Sequence, residues 1–197
     1  MTDTRQRILD TALASFAAKG YRATTITDIE EGAGLAVGSG ATYRHFRSKQ
    51  EILEAAIEAL RERNVAFMAP VNPSMTGSGH DGIALGRQSA DLLRLLFRDL
   101  AEFPHLQKRV IDHLITDVYA VAAERTAVIS PTGDAEALAV VMSNAMLGFN
   151  VLESVLGVDP LGVDADRFAA AWGRLLDLVI ADEFGADDSD DSDCEDP

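Results

Sequence analysis

The sequence predicts an all-α protein: an N-terminal three-helix helix-turn-helix domain followed by a larger C-terminal helical bundle. Three observations predict it. Apolar residues recur at helical spacing with no convincing period-two alternation. Capping residues and breakers punctuate those periodic stretches. A Pro/Gly/Ser-rich stretch at 70–82, PVNPSMTGSGHDG, separates a short first part from a longer second one.

In the first element Ile8, Leu9, Ala12, Leu13 and Phe16 share a face, and Lys19-Gly20 marks its end. Thr25 and Asp28 have the spacing of a capping pair, followed by Ile26, Ile29 and Ala33 as a buried stripe. Gly32 and Gly34 close that second helix. The glycine- and serine-containing turn Val37-Gly38-Ser39-Gly40 leads into a short segment ending near Phe46. Ser48-Lys49-Gln50-Glu51 then reads as a capping box opening a longer helix to about Phe67. Beyond 82 the expected helices run roughly 83–103, 105–110, 112–129, 134–157 and, capped by Asp164, to about Phe184.

The domain boundaries expected are therefore 1–48 for the helix-turn-helix, 49–69 for a connecting helix and 83–185 for the bundle. Residues 186–197 form an acidic tail whose composition predicts disorder. The tail reads either as a solubilising appendage or as a competitor that restrains non-specific DNA binding.

Taken whole, the formal charge of −15 argues against a nucleic-acid partner, but it is unevenly spread. Residues 1–50 carry 7 basic and 5 acidic side chains, 51–186 carry 10 and 20, and 187–197 carry none and 7. A polyanion would meet the first segment, where Arg44, His45, Arg47 and Lys49 cluster. Lone Cys194 excludes an intramolecular disulfide and a cysteine-rich zinc site. No run of 18 apolar residues suggests a membrane span, and no signal segment is visible, so cytoplasmic localisation without a membrane partner is expected. No Ser/His/Asp, paired-carboxylate or phosphate-loop constellation supports a catalytic residue or an enzyme, and no cofactor is expected. His113 with Asp117 offers two ligands, too few for a metal site.

In a helix-turn-helix the second helix braces the third, whose leading end enters the major groove and needs small residues there. Ser39, Gly40, Ala41 and Thr42 are small, Phe46 is a plausible core anchor, and the Tyr43 hydroxyl could meet a phosphate or, alternatively, the ring could be core. The stretches Thr24-Thr25-Ile26-Thr27-Asp28-Ile29, Ala33-Gly34-Leu35 and Tyr43-Arg44-His45-Phe46-Arg47-Ser48-Lys49-Gln50-Glu51-Ile52-Leu53 resemble the DNA-binding domain of TetR-family transcriptional regulators. The resemblance covers about residues 4–60, with Phe16 and Gly20-Tyr21 included.

That resemblance implies phosphate contacts from Thr24 or Thr25 and base-edge contacts from Ser39, Gly40, Ala41 and Thr42. It implies backbone contacts from Tyr43 and His45, and a phosphate contact from Lys49. Two departures stand out. The turn from Gly34 to Tyr43 is two residues longer than usual, and Thr42 occupies a position that is ordinarily leucine. The expectation is that Leu35 and Val37 both reach the core and fill the space.

In the bundle, Leu138, Met142, Ala145, Phe149, Leu152 and Leu156 form a heptad-like seam, and Phe168, Trp172, Leu175 and Val179 a second row. Both exceed what a monomer needs to bury, and the resemblance implies a homodimer through the last two helices. Gln88, His113, Thr116, Tyr119, Asn144, Asn150 and Glu153 are polar residues among apolar ones and candidate contacts for an unknown small-molecule effector. The function expected is a DNA-binding regulator, in the usual case a repressor released from an inverted-repeat operator by that effector. The alternatives are an interaction module without DNA binding, or an enzyme using the C-terminal cavity.

Overall fold

The computed structural model describes residues 3–68, 79–131 and 133–184. The expected acidic tail, Cys194 and most of the linker at 70–82 lie outside the described residues. Among those described, every regular element is helical.

Helix α1 spans Thr4–Lys19 and α2 spans Ile26–Gly32. The expected Thr25–Asp28 capping box is complete: the Asp28 amide donates to Thr25 Oγ1 (3.1 Å) and the Thr25 amide to Asp28 Oδ2 (2.8 Å). The hydrogen bond from Lys19, then those from Thr25, hold the Asp28 carboxyl well below the usual carboxylate range.

Helix α3, Lys49–Met68, starts where Ser48 Oγ accepts from the Glu51 amide. The Glu51 carboxylate bonds the Arg47 amide rather than Ser48, so only half of that box forms as expected.

Helix α4 (Gly79–Arg98) begins four residues before the position expected from the linker composition. After a single turn at Leu100–Glu102, Pro104 opens α5, Pro104–Ile111. A wider π turn at Asp112–Asp117 carries it without a break into α6, Val118–Ile129. Helix α7 covers Ala135–Asn150, capped by Asp134, and widens into another π turn at Val151–Val155. Helix α8, Ala165–Phe184, follows Asp164, whose carboxylate accepts from the Arg167 amide.

One large core joins α1, α2 and α3 to α4 and α5, with Ile8, Leu9, Phe16, Ile52, Leu53 and Leu92 fully enclosed. Each such side chain contributes about 1.5–3 kcal/mol by leaving water. A second, much smaller cluster of Ile83, Phe149 and Ala169 lies between α4, α7 and α8, where the Phe149 and Phe168 rings stack at 4.1 Å.

Candidate nucleic-acid interface and ligand cavity

Residues 34–47 carry the candidate DNA surface, and their backbone explains its shape. Gly34, Gly38 and Gly40 all have left-handed φ angles (68°, 71° and 67°), a conformation that side chains resist. Between them the chain runs as turns, and the only helical turn before Phe46 is Thr42–Arg44. The buried carboxylate of Glu30 accepts from the Gly38 amide (2.9 Å) and ties the long turn back to α2. The two extra residues are absorbed in this loop, so Ser39 and Gly40 precede the helical turn instead of opening a recognition helix.

The loop also revises the packing expectation. Leu35 does pack against the large core, but Val37 is half exposed. Thr42 is completely buried and its hydroxyl has no hydrogen-bond partner, which leaves a polar atom stranded where a leucine methyl would be satisfied. Phe46 is the core anchor expected of it.

Several expected contact residues face inward. Thr24 is buried, with its hydroxyl donating to the Gly20 carbonyl (2.8 Å) and reaching that of Ser15 (3.1 Å), so it offers nothing to a phosphate. Ala41 and Thr42 are buried and turned from any base edge. Lys49 Nζ donates to the carbonyls of Tyr21 (2.8 Å), Arg22 (3.3 Å) and Thr24 (2.8 Å) and lies over the Tyr21 ring. An ammonium has three donors, and these three carbonyls take them. Lys49 is a clamp on the α1–α2 connection, its three donors used within the chain rather than held out toward a phosphate. Arg98 does the same from α4, donating to the carbonyls of Phe16 and Ala17 at the end of α1.

What remains outward is Thr25, Ser39, Tyr43 and His45, together with Arg44 and Arg47, which the residue assignments above did not include. Among the described residues neither arginine forms an ion pair, whereas Lys19 and Arg22 are paired with Asp28 and Glu102. Their signal in the sequence was the cluster of charge rather than the family pattern.

The second feature is a cavity of about 640 Å³ lined by α3, α4, α6, α7 and α8 and open on one side. Of the seven expected effector contacts it is lined by Tyr119 and Asn150 alone. His113 is buried in a polar chain that reaches the cavity wall only at Ser89, its Nε2 3.2 Å from Asn64 Nδ2 and its Nδ1 3.2 Å from Asp117. Asn64 Nδ2 also donates to Ser89 Oγ, and Gln88 donates to Asn64 Oδ1. Glu153 is held by Arg87, which draws its carboxyl below the ordinary range. Thr116 is exposed, and exposed Asn144 accepts the Tyr119 hydroxyl at 2.9 Å.

Phe67, Met68, Arg125 and Trp172, none of them anticipated as contacts, do line the cavity. Arg125 donates to the Met68 carbonyl (2.7 Å), so the last turn of α3 forms part of the wall and is fastened to α6.

The third feature is a bare apolar face. Val140, Val141, Ala145 and Gly148 on α7, and Leu175 and Leu178 on α8, are exposed. Of the expected interface rows, Leu156, Leu175 and Ala145 lie outward, and Leu138, Leu152 and Val179 are half-buried. Phe149 and Phe168 belong instead to the subunit's own second core, and Met142 and Trp172 to the cavity wall. The reason is rotational: a helix wide in apolar residues presents two rows, and spacing alone does not say which one meets its own subunit. Among the described residues 135–155 form one helix long and apolar enough to cross a membrane, with little of it buried.

The model of bacterial regulatory proteins of the tetR family matches residues 8–56. The HTH-type transcriptional repressor KstR2 of Mycobacterium tuberculosis is 48% identical over 50 residues, 25% of this chain and 24% of its own length. The chain thus spans about a quarter of the length of the curated relatives it matches first. A transcriptional regulator of the TerR/AcrR family from Aquifex aeolicus superposes over 90% of this chain and 99% of its own, with a TM-score of 0.64 and 19% identity. One from Rhodococcus covers 91% and 97%, with a TM-score of 0.65 and 17% identity. Residues 8–56 are thus similar to bacterial regulatory proteins of the tetR family, and the whole chain shares the all-helical fold of these solved structures.

Proposed function

We propose that the chain is a dimeric, cytoplasmic transcriptional regulator, a repressor released from an inverted-repeat operator by a small molecule. The observation that carries the reading is the exposed cluster of Tyr43, Arg44, His45 and Arg47, whose two arginines form no ion pair among the described residues, whereas Lys19, Arg22 and Lys49 nearby are spent within the chain. Unspent guanidinium groups on a rigid support suit phosphate recognition. Ser39, Gly40 and the half-exposed Val37 edge the same surface and are the groups free to approach bases, with Thr25 at its margin.

Helix α3 supports the link to a ligand. Its first residue, Lys49, holds the α1–α2 connection, and its last residues, Phe67 and Met68, line the cavity. A ligand that favours one position of this helix would shift the DNA-binding surfaces of the dimer, which is differential affinity for two arrangements. The exposed face of Val141, Ala145, Leu175 and Leu178 supports pairing of α7 and α8 between two copies. A partner copy over that face also accounts for the apolar character of 135–155 without a membrane.

Selection from random duplexes tests the reading. It should enrich an inverted repeat with half-sites about one helical turn apart. Enrichment of nothing, with binding to random duplex indifferent to salt, would leave the interaction-module alternative in its place.

A further inference from the structure

The chemistry of the cavity wall narrows what can occupy it, taking as given the reading that this is the effector site. Its volume, about 640 Å³, is that of pockets that enclose drug-sized molecules. Most of the lining is apolar, including Phe67, Leu85, Leu93, Val118, Met146 and Trp172. The charged residues in it are Arg125 and Asp81, of opposite sign. Burial pulls the Arg125 pKa down, and the Asp81 charge opposes that pull. An anion entering would therefore compete with a carboxylate already acting on the guanidinium, and with the Met68 carbonyl that Arg125 holds.

The remaining polar groups divide unequally. Three donors are spent inside the protein: the Tyr119 hydroxyl on Asn144, the Thr126 hydroxyl on the Ala122 carbonyl, and Asn150 Nδ2 on the Gly82 carbonyl (3.2 Å), while the Ser89 and Ser143 hydroxyls also edge the lining and can serve a ligand as donor or acceptor. One acceptor stands apart. Asn150 is buried to 3% exposure, and its Oδ1 has no hydrogen-bond partner. The bond to Gly82 fixes the amide, because a flip would bring two oxygens together. Gly86 makes the room for it, since a Cβ there would stand 2.2 Å from Oδ1. A buried acceptor left unmade costs free energy that a donor arriving with a ligand recovers.

We propose that the cavity takes a neutral, largely apolar molecule carrying one hydroxyl or phenol group, whose O–H donates to Asn150 Oδ1. Asn150 selects the donor, and the apolar lining, with one charge of each sign and Arg125 already held by the Met68 carbonyl, disfavours a charged ligand.

Calorimetric titration of the full chain with para-octylphenol, its methyl ether and para-octylbenzoate tests this. The phenol should bind about tenfold tighter than the ether, the gain of one hydrogen bond to a buried group, and the benzoate weakest. Asn150→Leu should bring phenol and ether to parity. Gly86→Ala, which pushes the amide aside without altering its chemistry, should reduce the same preference and serves if the first variant does not fold. Equal binding of phenol and ether to the unaltered protein, tightest binding of the benzoate, or no binding of any probe overturns the proposal. Displacement of a selected duplex is measured separately. Phenol binding without displacement sinks the effector reading while this ligand chemistry stands, and displacement by the benzoate alone does the reverse.

Discussion

Around α1 and α3, Ile8, Phe16, Ile52 and Leu53 are fully enclosed, whereas Val141, Leu175 and Leu178 on α7 and α8 are each more than half exposed. The polar groups differ in the same way. Lys49, Arg98, Thr24 and the Thr25–Asp28 pair are all consumed in holding the first region together, and the Thr42 hydroxyl is the exception there. The second region keeps an unpaired Asn150 oxygen, a large cavity and a bare face. One region is finished as a folded object. The other leaves a cavity and an exposed apolar face, the features on which the proposed ligand and second copy rest.

The largest expected effect sets the two cores against each other. Phe16→Ala should cost about 4 kcal/mol, because its enclosed site cannot collapse, while Met142→Ala on the cavity wall should cost about 1 kcal/mol. Urea unfolding of both variants measures this, and equal losses would erase the distinction. Next comes the clamp: Lys49→Ala should lose about 2 kcal/mol, the worth of charge-assisted hydrogen bonds to otherwise uncapped carbonyls. Duplex binding would weaken through the displaced loop, with the salt slope unchanged; a slope lowered by one contact would return Lys49 to the phosphate backbone.

The bare face is sharpened by Val141→Glu and Leu178→Glu, each of which should weaken dimerisation by more than about tenfold in sedimentation while the monomer stays folded. Phe149→Glu should unfold the subunit instead, since its ring is stacked on Phe168. The smallest change is a gain. Thr42→Leu removes a stranded hydroxyl and fills its place with methyls, so stability should rise by about 1 kcal/mol in the same urea assay. No gain would mean that the site is too tight for the larger side chain.

The region that is finished internally was also the more legible in the sequence. Capping residues and a single apolar stripe per helix determine α1, α2 and α3 locally, which is why the Thr25–Asp28 box and the Phe46 anchor stand where expected. The exceptions are side chains whose use depends on distant partners. Lys49 looks like any exposed cation until the carbonyls of residues 21–24 fold over it, and Thr24 looks like its neighbour Thr25 until its rotamer turns inward. In the second region apolar residues surround α7 and α8, so periodicity gave both rows without ranking them. Phe149 and Phe168, expected on the outward rows, therefore pack inside the chain, while Val141 and Leu178 are the exposed ones. The cavity contacts Phe67 and Met68 carried no polar signal at all, because their role follows from where α3 ends against α6.

The central claim is that the exposed turn of Tyr43 to Arg47 meets DNA through its unspent charges. It is tested most directly by the salt dependence of duplex binding for the unaltered chain and for the Arg44→Ala, Arg47→Ala double variant. The logarithmic slope should fall by about 0.9 for each arginine–phosphate contact removed, roughly 3.6 for a dimer bound through both protomers, with folding stability intact. An unchanged slope in a folded double variant would contradict the claim and remove DNA from this surface.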